Sequence, residues 1–340
     1  MNHHLDEKYK RLGVVIDSLI SRDFTARGIS HELYDAALKK TGESLTMTAG
    51  QLLKDKVKKG DPVLIFTGWP SRSWLMQGLT ETDGPVGAAI LARVVEQGLG
   101  AVPILVMENS LIPFGETALR SAGLIVHNLE TALKSKPGPP SASVGAVIDF
   151  PTDWQEGERA VDKIIETINP KAMIAVELPG ANAEGSYHNV TAREVPSNLV
   201  IKADLLFKAA QNRDILTIGI GDGGNELGMG NIKEEIVQLL DEGEKVAPAT
   251  EVDVLIASNI SNWGACGLAA AILALVDKPE VLQEIDIVRI TDRLADCGAI
   301  DGLTSYVDPK NDGTRHDVNI GLMNILSLAL EMHLNGWIKG

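Results

Sequence analysis

From residue 61 to residue 259 the chain alternates between two patterns, and that alternation constrains the fold more than any other feature. Short apolar runs recur: VLIFT, VPILVM, VGAVIDF, AMIAV, LTIGIG and VDVLIA. Stretches with apolar residues at helical spacing separate them, such as GPVGAAILARVVEQGLG and GERAVDKIIETINP. Short apolar runs bounded by Gly and Pro read as buried strands. Strands joined through helices lie parallel, with helices covering both faces of the sheet. The expected fold class is therefore α/β, a parallel-sheet, Rossmann-like three-layer sandwich.

The flanks of this region read as helical. LDEKYKRLGVVIDSLISRD, HELYDAALKKTG and SLTMTAGQLLKDKVKKG predict three helices before residue 60. Gly42 and Gly60 sit where C-caps belong, and Lys54, Lys56, Lys58 and Lys59 suit a negative helix end. WGACGLAAAILALV, KPEVLQEIDIVRITDRLADCG and NIGLMNILSLALEMHL predict three more near the C-terminus. FGETALRSAG predicts a short helix and LIVHNLE a strand, before a Pro/Ser/Gly-rich loop over residues 134–143. The expected division is an N-terminal helical segment, 1–60, packed on an α/β catalytic domain, 61–340. One continuous domain is the alternative.

Aromatic residues are only 4% of the chain, so Ala, Val, Ile and Leu must build the core. The net charge of −15 argues against nucleic-acid and anionic-lipid partners, both of which need clustered Lys and Arg. No apolar run reaches the roughly 18–20 residues of a membrane helix, and the N-terminus lacks the apolar region of a secretory signal. The two cysteines, Cys266 and Cys297, form no CxxC, which fits a reducing, cytoplasmic setting. A homo-oligomer is expected on the general ground that soluble enzymes are often symmetric.

In a parallel sheet, ligands bind beyond the carboxyl ends of strands, so the loops there carry the chemistry. After VLIFTG come Glu81, Thr82 and Asp83, directly before Gly84, Pro85 and the next helix. Asp83 could simply cap that helix, but two acids lie within three residues. Arg72 is the nearest cation in sequence and a candidate for holding a carboxylate. After AMIAV comes Glu177, then Asn182, Glu184 and His188. His188 reads as a satisfied polar residue rather than a catalyst. After VDVLIA come Asn259, Ser261 and Asn262, which could cap a helix or face a ligand.

The densest signal is TIGIGDGGNELGMGN, where six of the fifteen residues from Thr217 to Asn231 are glycine. Gly219 to Gly224 formally match G-x-G-x-x-G. A dinucleotide fingerprint, however, opens a helix at once and has an acid after the next strand. Here NELGMGN intervenes, and VDVLIASN ends in Ser258 and Asn259. Bare backbone at Gly221, Gly223 and Gly224 instead suggests a nest of N–H groups for a carboxylate or an oxyanion. Asp222, Asn225 and Glu226 sit at that nest. Together the loops suit a small polar substrate with an ammonium group and carboxylates, or a divalent cation held by hard oxygen ligands. No nucleophile is paired with a base.

The segments TGWP, GLTETDGPVGAAILAR and IGIGDGGNELGMGN resemble the D-glutamate cyclase C-terminal domain family. Thr67, Gly68 and Pro70 match its first motif. Glu81 to Pro85 and Gly87 match the second. Gly221 to Glu226, with Gly228, Met229 and Gly230, match the third. The resemblance runs from about residue 30 onward. It implies cyclisation of D-glutamate to 5-oxo-D-proline with loss of water. Some family members carry a further N-terminal hydro-lyase-like domain.

For such a reaction the candidate base is Asp222 or Asp83, and the candidate acid is Glu226 or Glu81. The N–H groups of Gly223 and Gly224 would form the oxyanion nest. Thr67, Gly68, Arg72, Thr82, Gly84, Glu177, Asn182, Gly221, Asn225, Asn259 and Asn262 are candidate substrate-binding residues. Asp222, Asp83 and Glu177 are candidate ligands for Mg²⁺ or Mn²⁺. Two other functions stay open at this point: a nucleotide- or dinucleotide-dependent enzyme using Gly219–Gly224, and a non-catalytic sensor of an acidic amino acid or a metal.

Overall fold

The computed structural model describes residues 6–137 and 142–335. The loop expected over 134–143 lies partly outside them, at 138–141. Seven strands form one all-parallel sheet: β1 (Pro62–Thr67), β2 (Val102–Met107), β3 (Ile125–Val126), β4 (Val144–Asp149), β5 (Ala172–Val176), β8 (Leu216–Gly221) and β9 (Val254–Ala257). Two short strands, β6 (Tyr187–His188) and β7 (Glu194–Val195), make a separate antiparallel pair that the sequence pattern did not reveal.

Helices α1 (Glu7–Ser21), α2 (Ser30–Thr41) and α3 (Leu45–Lys56) precede the sheet. Between strands lie α4 (Pro85–Leu99), α5 (Ile112–Ser121), α6 (Leu129–Lys134), α7 (Trp154–Ile168), α8 (Ala203–Gln211), α9 (Lys233–Leu239) and α10 (Gly243–Val246). After β9 come α11 (Ser261–Leu275), α12 (Glu280–Gln283), α13 (Ile287–Asp296) and α14 (His316–Asn335). With helices flanking a parallel sheet, this is the expected α/β three-layer fold.

The strand order is β3-β4-β2-β1-β5-β8-β9. The chain winds outward from β1 through β2 to β3 at the edge, inserts β4 between β2 and β3, then returns to β5 on the other side of β1. The winding of the strand order therefore reverses between β1 and β5, where a crevice opens at the strand ends. Register aligns those ends: Thr67 pairs with Val176, and Val176 with Ile220. Strand residues are buried on both faces, as a parallel sheet requires.

Helix α11 is apolar all round because it is buried all round, with every one of its residues inside. Its small side chains let neighbours approach. Gly87 of α4 faces Ala265, Gly50 of α3 faces Ala271, and Gly267 of α11 itself meets Ile16 and Ile20 of α1. The N-terminal helices thus share one core with the sheet: Leu12, Ile16, Leu45 and Leu53 join the same buried cluster as Val63 and Ile174.

Several boundaries differ from the sequence expectation. Helix α3 ends at Lys56, because Val57 is extended and Asp61 accepts from the Lys58 N–H. Gly60 therefore sits in the turn into β1 rather than at a cap. Gly100 takes the left-handed cap of α4. The single long helix expected near residue 290 is two, because Asp286 caps a new one by accepting from the Arg289 N–H. The LIVHNLE strand keeps two residues, because Asn128 starts α6 by accepting from the Thr131 N–H.

Candidate active site

The carboxyl ends of β1, β5 and β8 open into a cavity of about 600 Å³. Glu81, Glu177, Asp222, Glu226 and Asp312 line it, together with Arg27. All five carboxylate residues are buried. Asp83 lies against the same cluster: one carboxylate oxygen each from Asp83, Glu177 and Asp222 fall within 4.8 Å of one another.

The glycine-rich stretch after β8 is a socket for Glu226. The Glu226 Oε1 accepts from the N–H groups of Asp222 (3.1 Å) and Gly223 (2.7 Å), and Oε2 from those of Gly224 (2.9 Å) and Asn225 (3.0 Å). A Cβ on Gly221 would lie 2.8 Å from the Glu226 carboxyl, so only glycine leaves room. The N–H nest exists, but the protein's own side chain fills it. The sequence expectation that Gly223 and Gly224 receive a substrate oxyanion is corrected accordingly. A nucleotide phosphate at this loop would likewise find its N–H donors taken. Burial pushes the Glu226 carboxyl up to about 7 and the Asp222 charge adds to that, while the N–H donors act in the opposite direction.

Asp83 does not cap its own helix. Its two oxygens accept from the N–H groups of Ser261 (3.1 Å) and Asn262 (2.7 Å), at the start of α11. Asn262 returns the favour: its Oδ1 accepts from Gly84 N–H (3.0 Å) and Gly87 N–H (2.6 Å), at the start of α4. Two helix N-termini far apart in sequence are thus cross-capped. The Asn262 Nδ2 also donates to Asn311 Oδ1 and to the Thr82 carbonyl. Gly84 has φ +93°, and a Cβ there would sit 2.6 Å from Thr67 Oγ1.

The remaining acids differ in their partners. Glu177 has φ +45° and accepts from Ser261 Oγ at 2.5 Å. Glu81 accepts from Ser71 Oγ at 2.9 Å. Burial, then neighbouring carboxylates, push Glu81, Asp83 and Glu177 well above the usual carboxylate range. Asp222 has one oxygen 2.6 Å from the Arg27 guanidinium, while its Oδ2 is buried with no hydrogen-bond partner among the described residues. Arg27 also meets Asp312 at 2.6 Å. Burial alone would lower the Arg27 pKa, but Asp222 and Asp312 more than offset it, so the guanidinium stays charged.

Of the residues expected from the sequence, the structure brings Glu81, Asp83, Glu177, Asp222 and Glu226 together at the cavity, with Gly223 and Asn225 in its wall. Thr67, Gly68 and Gly221 form the strand ends beneath them and Gly84 the start of α4, and Thr67 Oγ1 is buried without a partner among the described residues. Other expected residues are engaged elsewhere. Asn182 folds its own turn, accepting from Glu184 and Ser186 N–H and donating to the Lys245 carbonyl. Thr82 donates to the Lys310 carbonyl. Asn259 donates to Asp23, Thr25 and Ser30, so it anchors the segment that carries Arg27. Arg72 is at the mouth, not among the floor acids.

Two central residues escaped the sequence reading. Arg27 comes from the α1–α2 connection, where its backbone N–H and that of Gly28 bond the Asp23 carboxylate. Asp312 comes from the turn before α14. The only local signals were polar breaks in helical patterns, SRDFTARG and KNDGT.

Comparison with known proteins matches residues 16–327 to the family model described as "D-glutamate cyclase-like, C-terminal". The chain is also 28% identical over 270 residues to the human protein named "D-glutamate cyclase, mitochondrial". That match covers 76% of this chain but only 38% of the human protein.

Proposed function

Because the chain belongs to the D-glutamate cyclase-like, C-terminal family, we propose that it closes D-glutamate to 5-oxo-D-proline with loss of water. The observation that carries this reading is the set of buried carboxyl groups, Glu81, Asp83, Glu177, Asp222, Glu226 and Asp312, gathered around one guanidinium.

The reaction needs an α-amine freed of its proton and a γ-carboxyl that can lose hydroxide. Asp222 is the base: Oδ1 is engaged by Arg27 and Oδ2 is free to accept a proton from the substrate ammonium. The amine then attacks the γ-carbon, forming the ring C–N bond. Charge on the tetrahedral oxygen is stabilised by Arg27, since the backbone nest is filled by Glu226. Glu81 or Glu177, each with its pKa raised by burial, gives a proton to the departing hydroxyl as the C–O bond breaks and water leaves, and the same carboxylate takes the second proton of the ring nitrogen as the amide forms. The same acidic surroundings keep the substrate γ-carboxyl neutral, which is its reactive form. Glu226 and Asp83 act by position, fixing the β8 loop and the two helix starts.

Asp83, Glu177 and Asp222 also fit a divalent cation, since they offer hard oxygens at close range and Asp222 Oδ2 and Thr67 Oγ1 lack partners. Mg²⁺ or Mn²⁺ bound there would polarise the γ-carboxyl as a Lewis acid. Among the described residues no helix is long and apolar enough to cross a membrane. With both cysteines free, we place the protein in a reducing compartment such as the cytoplasm.

The test is chiral chromatography after incubation with D-glutamate, L-glutamate or 5-oxo-D-proline, each with EDTA, Mg²⁺ or Mn²⁺. Interconversion of the D-forms is expected. Asp222→Asn should lower turnover by about 10²–10⁴-fold while the circular dichroism spectrum is unchanged. Absence of turnover in every arm overturns the reading.

A further inference from the structure

The mouth of the cavity has the opposite character to its floor. There Arg193 and Arg72 flank Trp74. The Arg193 guanidinium lies over the Trp74 indole, 4.3 Å from its centroid, and that of Arg72 lies 5.5 Å from the same ring. Two like charges sharing one ring repel each other unless an anion joins them.

Their own partners differ. Arg72 is engaged by the protein: its Nε donates to Ser305 Oγ at 2.5 Å and its Nη2 to the Gly302 carbonyl at 2.6 Å. Those bonds tie one rim loop to another. Arg193 makes no ion pair and no side-chain hydrogen bond among the described residues. This is notable in a chain of net charge −15, where carboxylates are abundant. The Arg193 backbone is nonetheless fixed. Asn189 Oδ1 accepts from Thr191 N–H at 3.1 Å and Arg193 N–H at 2.9 Å, and β6 and β7 pair on either side. A guanidinium held on an aromatic face, with its N–H fork unused, is set up to receive a planar oxyanion.

We propose that Arg193, stacked on Trp74 and backed by Arg72, is a specificity-determining residue that receives a carboxylate of the substrate at the cavity mouth. The proposal rests on the reading of this cavity as the substrate site. A polar amino acid then binds in one direction. Its ammonium and its reacting carboxyl enter the acidic floor beside Asp222 and Arg27, while its other carboxylate stays at the mouth. Three separated contacts around one carbon are also what distinguishing D- from L-enantiomers requires.

The experiment is calorimetric titration of the full chain and of Arg193→Ala and Arg193→Lys. The probes are D-glutamate, glutarate, which keeps both carboxylates, and 4-aminobutanoate, which lacks the second one. Arg193 is exposed on the β6–β7 turn, so the variants should fold. Arg193→Ala should weaken D-glutamate and glutarate by about tenfold to a hundredfold, with Arg193→Lys between. Binding of 4-aminobutanoate should be unchanged. In turnover, KM should rise with kcat retained, and the preference for D- over L-glutamate should narrow. An Arg193→Ala affinity for D-glutamate within about twofold of the native value, an equal loss for 4-aminobutanoate, or a native chain that binds none of the probes overturns the proposal. Binding that depends on Arg193 without any turnover would sink the cyclase reading and leave the carboxylate subsite standing.

Discussion

Crowded carboxyl groups should make this protein lose stability as pH rises from 5 to 7, against the usual trend of acid denaturation. Asp312 gives the sharpest case. Burial, reinforced by the Asp222 charge, raises its pKa from 3.8 to about 7, even with Arg27 alongside. Between those values the folded chain holds a proton that the unfolded chain has released. Stability from this group is therefore full below the unfolded pKa and lost as pH climbs to the folded one. One proton of difference changes the unfolding free energy by about 1.4 kcal/mol per pH unit. Raising the pH from 5 to 7 thus costs about 2 kcal/mol through Asp312 alone, since the native group is already half ionised at the upper end. Glu226, moved from 4.5 to about 7, adds a term of the same sign. Against a total of about 5–15 kcal/mol for a folded domain, the fall is measurable. Urea midpoints in EDTA at pH 5, 6, 7 and 8 would record it. Asp312→Asn cannot ionise, so its slope should be shallower by about 1.4 kcal/mol per pH unit. At pH 8 it should be more stable than the native chain. A native curve that is flat or rises over this range, or an Asp312→Asn slope equal to the native one, refutes the reasoning.

Two further outcomes follow from the same geometry. Arg27→Ala leaves Asp222 and Asp312 without their cation. It should cost about 3–5 kcal/mol at pH 8, and less at pH 5, where Asp312 is protonated, as read from the same urea titrations. Gly221→Ala sets a Cβ 2.8 Å from the Glu226 carboxyl. It should lower stability by about 1–3 kcal/mol, seen as a lower melting temperature, and a variant that melts with the native protein would contradict the socket described for Glu226.

Much of the site was legible because it sits where sheet topology puts sites. Asp83, Glu177 and Asp222 each follow a strand, and a parallel sheet brings strand ends together regardless of their distance in sequence. What each does was not legible. Asp83 read as either a cap for the helix beside it or a reacting group, yet it caps α11, nearly 180 residues away in sequence. Asn259 read as a ligand contact, yet its bonds run to the α1–α2 connection. Arg27 could not be found by pattern, because a lone Arg in a polar break carries no periodic signal.

Local periodicity alone determined that the chain is a parallel α/β sandwich, with its candidate loops at the carboxyl ends of β1, β5, β8 and β9. Apolar spacing reports which face of each element is buried, and burial fixes the layers. The glycine count likewise announced a backbone nest. Only tertiary structure decided what filled that nest, which cation sits among the acids, and which carboxylate keeps an oxygen free. Those outcomes depend on which side chain arrives from far along the chain, and spacing in sequence holds no record of that.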